Sequence, residues 1–374
     1  MSNEISCNPN LLHVPRYIRG RSIEEVQREL ELEEVIKLGS NENLLGPSPL
    51  AVEAMQRAAR EAHYYPGVEA HDLREQLAAH LGHDLTAENI IVGNGSADVL
   101  RSIGWAYIFD GLESIVQLPA FQLYEIVTAM YGGKAIILPM SNTYAYELDA
   151  MLAQITDKTR LIFINNPNNP TGLYLTRGQV DDFLERVPPQ VIVVFDEAYA
   201  DFAEAADFPN SLEYVQERGN VIVTRTFSKL YGLAGIRVGY GIACPEIIEG
   251  LLRTQTAFHV GRVPLLAASA ALCDRAHVAK ALATNHDGKL YLYEQFAQMD
   301  LEYLPTEANF IMLIHLPFPV TAIERAMHKR GLILRPCEPF GLPHALRVTI
   351  APQYENERMI RALRDTLDEL ARGV

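Results

Sequence analysis

Through the middle of the chain, short runs of β-branched and apolar residues alternate with longer stretches whose apolar positions recur every three or four residues. Ile90-Ile91-Val92 leads into Leu100, Ile103 and Tyr107, spaced i, i+3, i+7 like the buried face of a helix. The same reading predicts strands at Ser114–Leu118, Ala135–Leu138, Leu161–Asn165, Val191–Phe195 and Val221–Thr224. Helices are expected near Gln122–Met130, Leu148–Ile155 and Arg177–Arg186. Apolar strands without in/out alternation, separated by helices, indicate an α/β fold with a mostly parallel sheet covered on both faces. Right-handed crossovers then place functional loops at the carboxyl ends of the strands.

The rhythm changes after about Ala270. A helical stretch leads to Phe310-Ile311-Met312-Leu313-Ile314, a helix near Val320–Arg330, short strands at Leu332–Leu334 and Leu346–Ile350, and a closing helix over Glu355–Arg372. This pattern predicts a smaller α+β unit. The first stretch holds one short acidic helix, Ser22–Leu32, and is read as an arm. The expected organisation is an arm at 1–40, a large domain at 41–275 and a small domain at 276–374.

Composition narrows the class. Of 374 residues, 48% are apolar and 21% charged, enough to bury a sizeable core. With 32 basic and 47 acidic residues the formal charge is -15, a field that repels phosphate backbones and anionic lipid. Neither nucleic acid nor a membrane is expected as a partner. No apolar run reaches the ~20 residues of a membrane-spanning helix, and MSNEISCNPN does not read as a secretion signal. Cys7, Cys244, Cys273 and Cys337 lack CxxC spacing, which fits reduced thiols in the cytoplasm better than disulfides or a metal site.

Four segments carry candidate chemistry. Thr226-Phe227-Ser228-Lys229 follows directly on a predicted strand and continues to Gly235-Ile236-Arg237. Asn166-Pro167-Asn168-Asn169-Pro170-Thr171-Gly172 and Phe195-Asp196-Glu197-Ala198-Tyr199 each close another strand, and Gly93-Asn94-Gly95-Ser96 joins a strand to a helix start. Singly these read as a surface lysine, a β-turn, a capping carboxylate and a tight βα turn with a Ser cap. The last is neither a dinucleotide fingerprint, because residue 98 is Asp98, nor a P-loop, because no Gly-Lys-Ser/Thr follows. Together they supply what pyridoxal phosphate chemistry requires. A lysine forms a Schiff base with the cofactor aldehyde, a carboxylate keeps the pyridinium nitrogen protonated, and backbone N–H groups at a helix start receive the phosphate.

With these segments in view, nearly the whole chain resembles the fold-type I pyridoxal phosphate aminotransferases, and among them the histidinol-phosphate aminotransferases. The likeness also rests on Lys37-Leu38-Gly39-Ser40-Asn41-Glu42-Asn43 with Gly46-Pro47-Ser48-Pro49, on Tyr65-Pro66-Gly67 and on Leu346-Arg347-Val348-Thr349-Ile350. It implies that Lys229 is the Schiff-base lysine and proton carrier, that Asp196 pairs with the ring nitrogen, and that Asn169 and Tyr199 bond the ring oxygen. Phe121 would stack on the ring, and Gly95, Ser96, Ala97, Ser228 and Arg237 would cradle the phosphate. Tyr65 would reach the phosphate of a neighbouring subunit in a homodimer with shared sites. Arg347 would clamp the substrate α-carboxylate, with Tyr17, Asn41 and Asn43 around the substrate.

The chain departs from the family pattern at Ala97-Asp98, where Asp-Glu is usual, and at Leu230, His259 and Ala351. The cofactor set is complete, so what stays open is the substrate. The leading expectation is histidinol phosphate with 2-oxoglutarate, by ping-pong chemistry. The alternatives are an aromatic amino acid aminotransferase, a lyase, decarboxylase or cyclase on the same scaffold, and a binding module that keeps the fold.

Overall fold

A computed structural model describes residues 8–15 and 20–373. Its large sheet has seven strands: β2 (Ile90–Gly93), β3 (Glu113–Leu118), β4 (Lys134–Pro139), β5 (Thr159–Asn165), β6 (Ile192–Asp196), β7 (Val221–Thr226) and β8 (Gly239–Ile242). Their spatial order is β2-β8-β7-β6-β5-β3-β4, and only β8 runs against its neighbours. The mostly parallel sheet expected from the apolar runs is therefore present. Along β6, Val193 and Phe195 pack into one core while Ile192 and Val194 pack into the other, which is why the strand shows no polar alternation. Helices Arg177–Arg186 and Arg262–Cys273 cover the first face. Helices Ser96–Tyr107, Leu123–Met130 and Pro245–Leu252 cover the second.

Strand β8 is the element that apolar patterning misses. Its sequence, Gly-Tyr-Gly-Ile, carries two glycines, which normally weaken a strand. Both answer to close packing: a β-carbon at Gly239 would lie 2.3 Å from the Ser96 nitrogen, and one at Gly241 would lie 2.8 Å from a Val99 methyl.

The C-terminal part forms a second sheet of four antiparallel strands, β9 (Tyr303–Leu304), β10 (Phe310–Leu313), β12 (Arg335–Pro336) and β13 (Leu346–Thr349), in the order β12-β13-β10-β9. Helices Arg275–Gln298, Val320–Lys329 and Gln353–Arg372 pack on it through Leu292, Phe296, Ile323, Met327, Met359 and Leu363. The 24-residue helix Arg275–Gln298 joins the two bodies, with Ala281 in the large core and Phe296 in the small one.

The second half of the expected arm is built into this smaller body. Strand β1 (Ile36–Lys37) pairs in parallel with β11 (Leu332–Ile333), and Ile36 and Leu38 join its core. The preceding helix, Ile23–Leu30, starts in a capping box between Ser22 and Glu25 and buries Val26 against Val35 and Ile333. A two-residue strand leaves no periodicity to read, so its pairing was not legible. No helix among the described residues is long and apolar enough to cross a membrane.

Candidate active site

The carboxyl ends of β5, β6 and β7, the start of helix Ser96–Tyr107 and the ends of β12 and β13 enclose a cavity of about 320 Å³. Lys229, Asp196, Tyr199, Asn169, Phe121, Ser96, Ala97, Ser228, Arg237, Asn41 and Arg347 all line it. Residues spread over three hundred positions of sequence thus converge on one space. That is where ligands collect in open α/β sheets.

Lys229 Nζ donates to the Ser40 carbonyl at 2.9 Å and lies 5.4 Å from the centroid of the Tyr199 ring. Burial, together with the positive charges of Arg347, Arg237 and Lys37, pushes its ammonium down to about 7, against an opposing pull from Glu42. An amine that is half neutral at pH 7 is suited to attack a carbonyl.

Asp196 is the last residue of β6 and is buried. Its two carboxylate oxygens accept from the Tyr124 hydroxyl at 2.8 Å and the Thr224 hydroxyl at 3.1 Å. Burial pushes its carboxyl up to about 6, while those two donors and a backbone N–H pull the other way. A carboxylate held so firmly in a dry place, with no cationic partner among its bonds, is matched to a cationic ring nitrogen. Neither donor was legible from sequence. Thr224 sits opposite Asp196 only through the β6–β7 register, and Tyr124 reaches it from the first turn of helix Leu123–Met130.

The polar side of the cavity is a chain of fixed groups. Asn41 Nδ2 donates to the Tyr199 hydroxyl at 3.0 Å, and the Asn41 backbone N–H donates to Thr349 Oγ1 at 3.0 Å. Arg347 donates through Nη1 to Asn169 Oδ1 and through Nη2 to the Gly39 carbonyl at 2.8 Å, with its guanidinium 5.2 Å above the Phe310 ring. Arg335 faces the same space, and its Cα pairs in register with that of Arg347 across β12 and β13. At the rim, Lys37 and Glu42 form an ion pair of 2.8 Å. Arg335 stands in no motif that could have singled it out, and Lys37 and Glu42 belong to the Lys37–Asn43 segment without having been given a role there.

At the opposite wall, Gly95 precedes helix Ser96–Tyr107 with φ +89°, and a β-carbon there would lie 2.6 Å from Arg237 Nη2. Ser228 Oγ accepts from Thr226 Oγ1 at 3.0 Å and from Arg237 Nη1 at 3.4 Å. Helix-start N–H groups, a hydroxyl and a guanidinium on one wall form a cup suited to an anion. The donor set fits pyridoxal phosphate: a partly neutral lysine, a buried acid and an anion cup in one cavity.

Of the other expected site residues, Gly95 adjoins the cavity lining at Ser96, two lie away from the cavity, and one is not described. Asn43 does not line the cavity; its side chain donates to the Leu230 carbonyl at 2.8 Å and accepts from the Leu45 N–H at 3.0 Å, so it fixes the loop next to Lys229. Tyr65 is 77% exposed and stacks on Phe258 with ring centroids 4.5 Å apart, outside the cavity of its own chain. Tyr17 lies outside the described residues.

A sheet of this order with a lysine, a strand-end aspartate and an anion cup at its carboxyl edge defines a fold-type I pyridoxal phosphate transaminase. Residues 33–364 match the model of the family "Aminotransferase class I and II". A histidinol-phosphate aminotransferase of Moorella thermoacetica is 48% identical over 96% of this chain and 93% of its own length. A second, from Carboxydothermus hydrogenoformans, is 41% identical over 95% and 97%. Among solved structures, the histidinol-phosphate aminotransferase of Sinorhizobium meliloti in complex with pyridoxal 5'-phosphate superposes with a TM-score of 0.88 at 27% identity, covering 98% of this chain and 99% of that one. The chain belongs to the histidinol-phosphate aminotransferases within the class I and II family.

Proposed function

We propose that the protein exchanges an amino group between histidinol phosphate and 2-oxoglutarate in two successive half-reactions, as a step in histidine biosynthesis. The observation that carries the substrate assignment is the pair Arg335 and Arg347, side by side across two antiparallel strands and both facing the cavity. Directly paired residues place their side chains on one face. Two guanidiniums there make a clamp for a dianion. Glutamate offers an α-carboxylate that Arg347 alone can hold. The phosphoester of histidinol phosphate is longer and extends to Arg335.

Pyridoxal phosphate supplies the electron sink that lets the substrate Cα release its proton. The chain's own groups do the rest. Ser96 and Ala97 N–H groups, Ser228 and Arg237 would hold the phosphate. Asp196 would pair with the ring nitrogen, whose positive charge would favour the ionised carboxylate against the effect of burial. Asn169 and Tyr199 would hydrogen-bond the ring oxygen, and Phe121 would stack on the ring. Lys229 Nζ would accept the proton that the substrate Cα releases, a role its lowered basicity permits.

The same reading makes the protein a cytoplasmic homodimer. Tyr64, Tyr65, Val68 and Phe258 are exposed large hydrophobics, and Tyr65 and Phe258 stack on each other. Such a patch fits a second copy of the chain, which would bring Tyr65 to the neighbouring phosphate cup. The substrate assignment is tested by single-turnover half-reactions. Arg335→Ala should slow the reaction with histidinol phosphate far more than that with glutamate, and Arg347→Ala should slow both. An Arg335→Ala protein that handles histidinol phosphate normally contradicts the clamp.

A further inference from the structure

The phosphate cup rests on groups that the proposed chemistry does not use. Gly95 precedes the helix without a side-chain cap, so the Ser96 and Ala97 N–H groups have no carbonyl of their own helix to bond. What fixes that turn lies behind it. Asp98 folds its carboxylate back, and Oδ2 accepts from the Asn94 N–H at 3.0 Å and bonds His259 Nε2 at 2.5 Å. Its other oxygen accepts from Arg101 Nη2 at 2.8 Å.

Two further bonds join the same segments. Asn94 Nδ2 donates to the His259 carbonyl at 3.1 Å, and Gln255 Nε2 donates to the Val92 carbonyl at 2.8 Å. The stretch 254–261 is thereby stapled to the end of β2 and to the turn that follows it. There is no slack: a β-carbon at Gly93 would stand 3.0 Å from the Asp98 carboxylate.

Charge gives the pair a second consequence. A carboxylate in the first helical turn stands close to the place where an anion is to bind, and alone it would repel one. His259 and Arg101 engage both of its oxygens. These bonds hold the Asp98 carboxyl below the usual carboxylate range although burial pushes it up.

We propose that Asp98 and His259 are positioning residues for the cofactor phosphate: the pair locks the 93–96 turn against the stretch 254–261 so that the Ser96 and Ala97 N–H groups stay aimed into the cup. This rests on the placement of the phosphate in that cup. The pair touches no reacting atom, so its effect belongs to phosphate binding and not to the aldehyde end of the cofactor.

The test compares the affinity of the apoprotein for pyridoxal phosphate and for pyridoxal, which lacks the phosphate. His259→Ala should weaken pyridoxal phosphate about tenfold, as for a lost hydrogen bond to a charged group, and leave pyridoxal within about twofold. His259→Gln, whose amide N–H can reach about as far as Nε2, should recover most of the loss. The 31P resonance of the bound cofactor should shift in His259→Ala and return in His259→Gln. An unchanged affinity for pyridoxal phosphate overturns the proposal. So does an equal loss for both ligands, since that is the mark of a general loosening of the fold. A wild-type apoprotein that binds the two ligands equally would instead overturn the placement of the phosphate, and the proposal with it.

Discussion

Lys229 holds its amine where burial and three neighbouring cations disfavour the charged form, leaving its pKa at about 7. Only the neutral amine attacks an aldehyde, so capture of pyridoxal phosphate by the apoprotein should quicken as pH rises through about 7 and level off above it. Stopped-flow absorbance measures this directly. Glu42 opposes the shift, so Glu42→Gln should move the midpoint lower, whereas a higher midpoint would show that the carboxylate has been misread. Asp196 works in the opposite sense. Burial alone favours its neutral acid, and the Tyr124 and Thr224 hydroxyls favour the carboxylate that a positive ring nitrogen would need; on that reading Asp196→Asn should leave the fold intact while turnover falls about a hundredfold or more. Lys229 and Asp196 stood out because Asp196 ends one apolar strand and Lys229 follows closely on another, each in a recognisable segment. Tyr124 and Thr224, which fix Asp196, were not, because only the packing of a helix and the register of β6 on β7 bring them to it. Asn43 shows the converse: it stands in a telling motif, yet its amide serves the backbone of Leu45 and Leu230.

At the scale of elements, the site depends on how tightly β8 and helix Ser96–Tyr107 approach each other. Gly239 is where they meet. A methyl group there would lie 2.3 Å from the Ser96 nitrogen, 2.7 Å from the Gly95 carbonyl carbon and 3.0 Å from the Arg225 oxygen, all of them backbone atoms that cannot swing aside. Gly239→Ala should therefore destabilise the fold by roughly 1–3 kcal/mol in urea unfolding and displace the phosphate cup as well. Strands with long apolar runs announced themselves, as β5 to β7 did. Strand β8 did not, since the glycines that its packing requires erase the signal that a strand normally leaves. Strand β1 was hidden for another reason: two residues are too few to show a period, and the pairing of Ile36 with Leu332 spans almost the whole chain.

At the scale of the molecule, one body supplies the lysine, the acid and the cup, and the other supplies Arg335 and Arg347, so the cavity exists only where the two meet. In the proposed dimer, the exposed Tyr65 and Phe258 would extend the same logic to a second chain. Tyr65→Phe and Lys229→Ala proteins, each impaired alone, should recover part of the activity when mixed, because one hybrid site then carries both native residues. Mixing without any recovery, or a monomer in sedimentation at micromolar concentration, contradicts shared sites. The central claim concerns the substrate, and a comparison of amino donors tests it most directly. With 2-oxoglutarate as acceptor, histidinol phosphate should show a kcat/KM about a hundredfold or more above that of phenylalanine or tyrosine, because in the proposed clamp only the phosphate would engage both guanidiniums. Equal or greater efficiency with the aromatic donors, or a product formed without amino transfer, would contradict it.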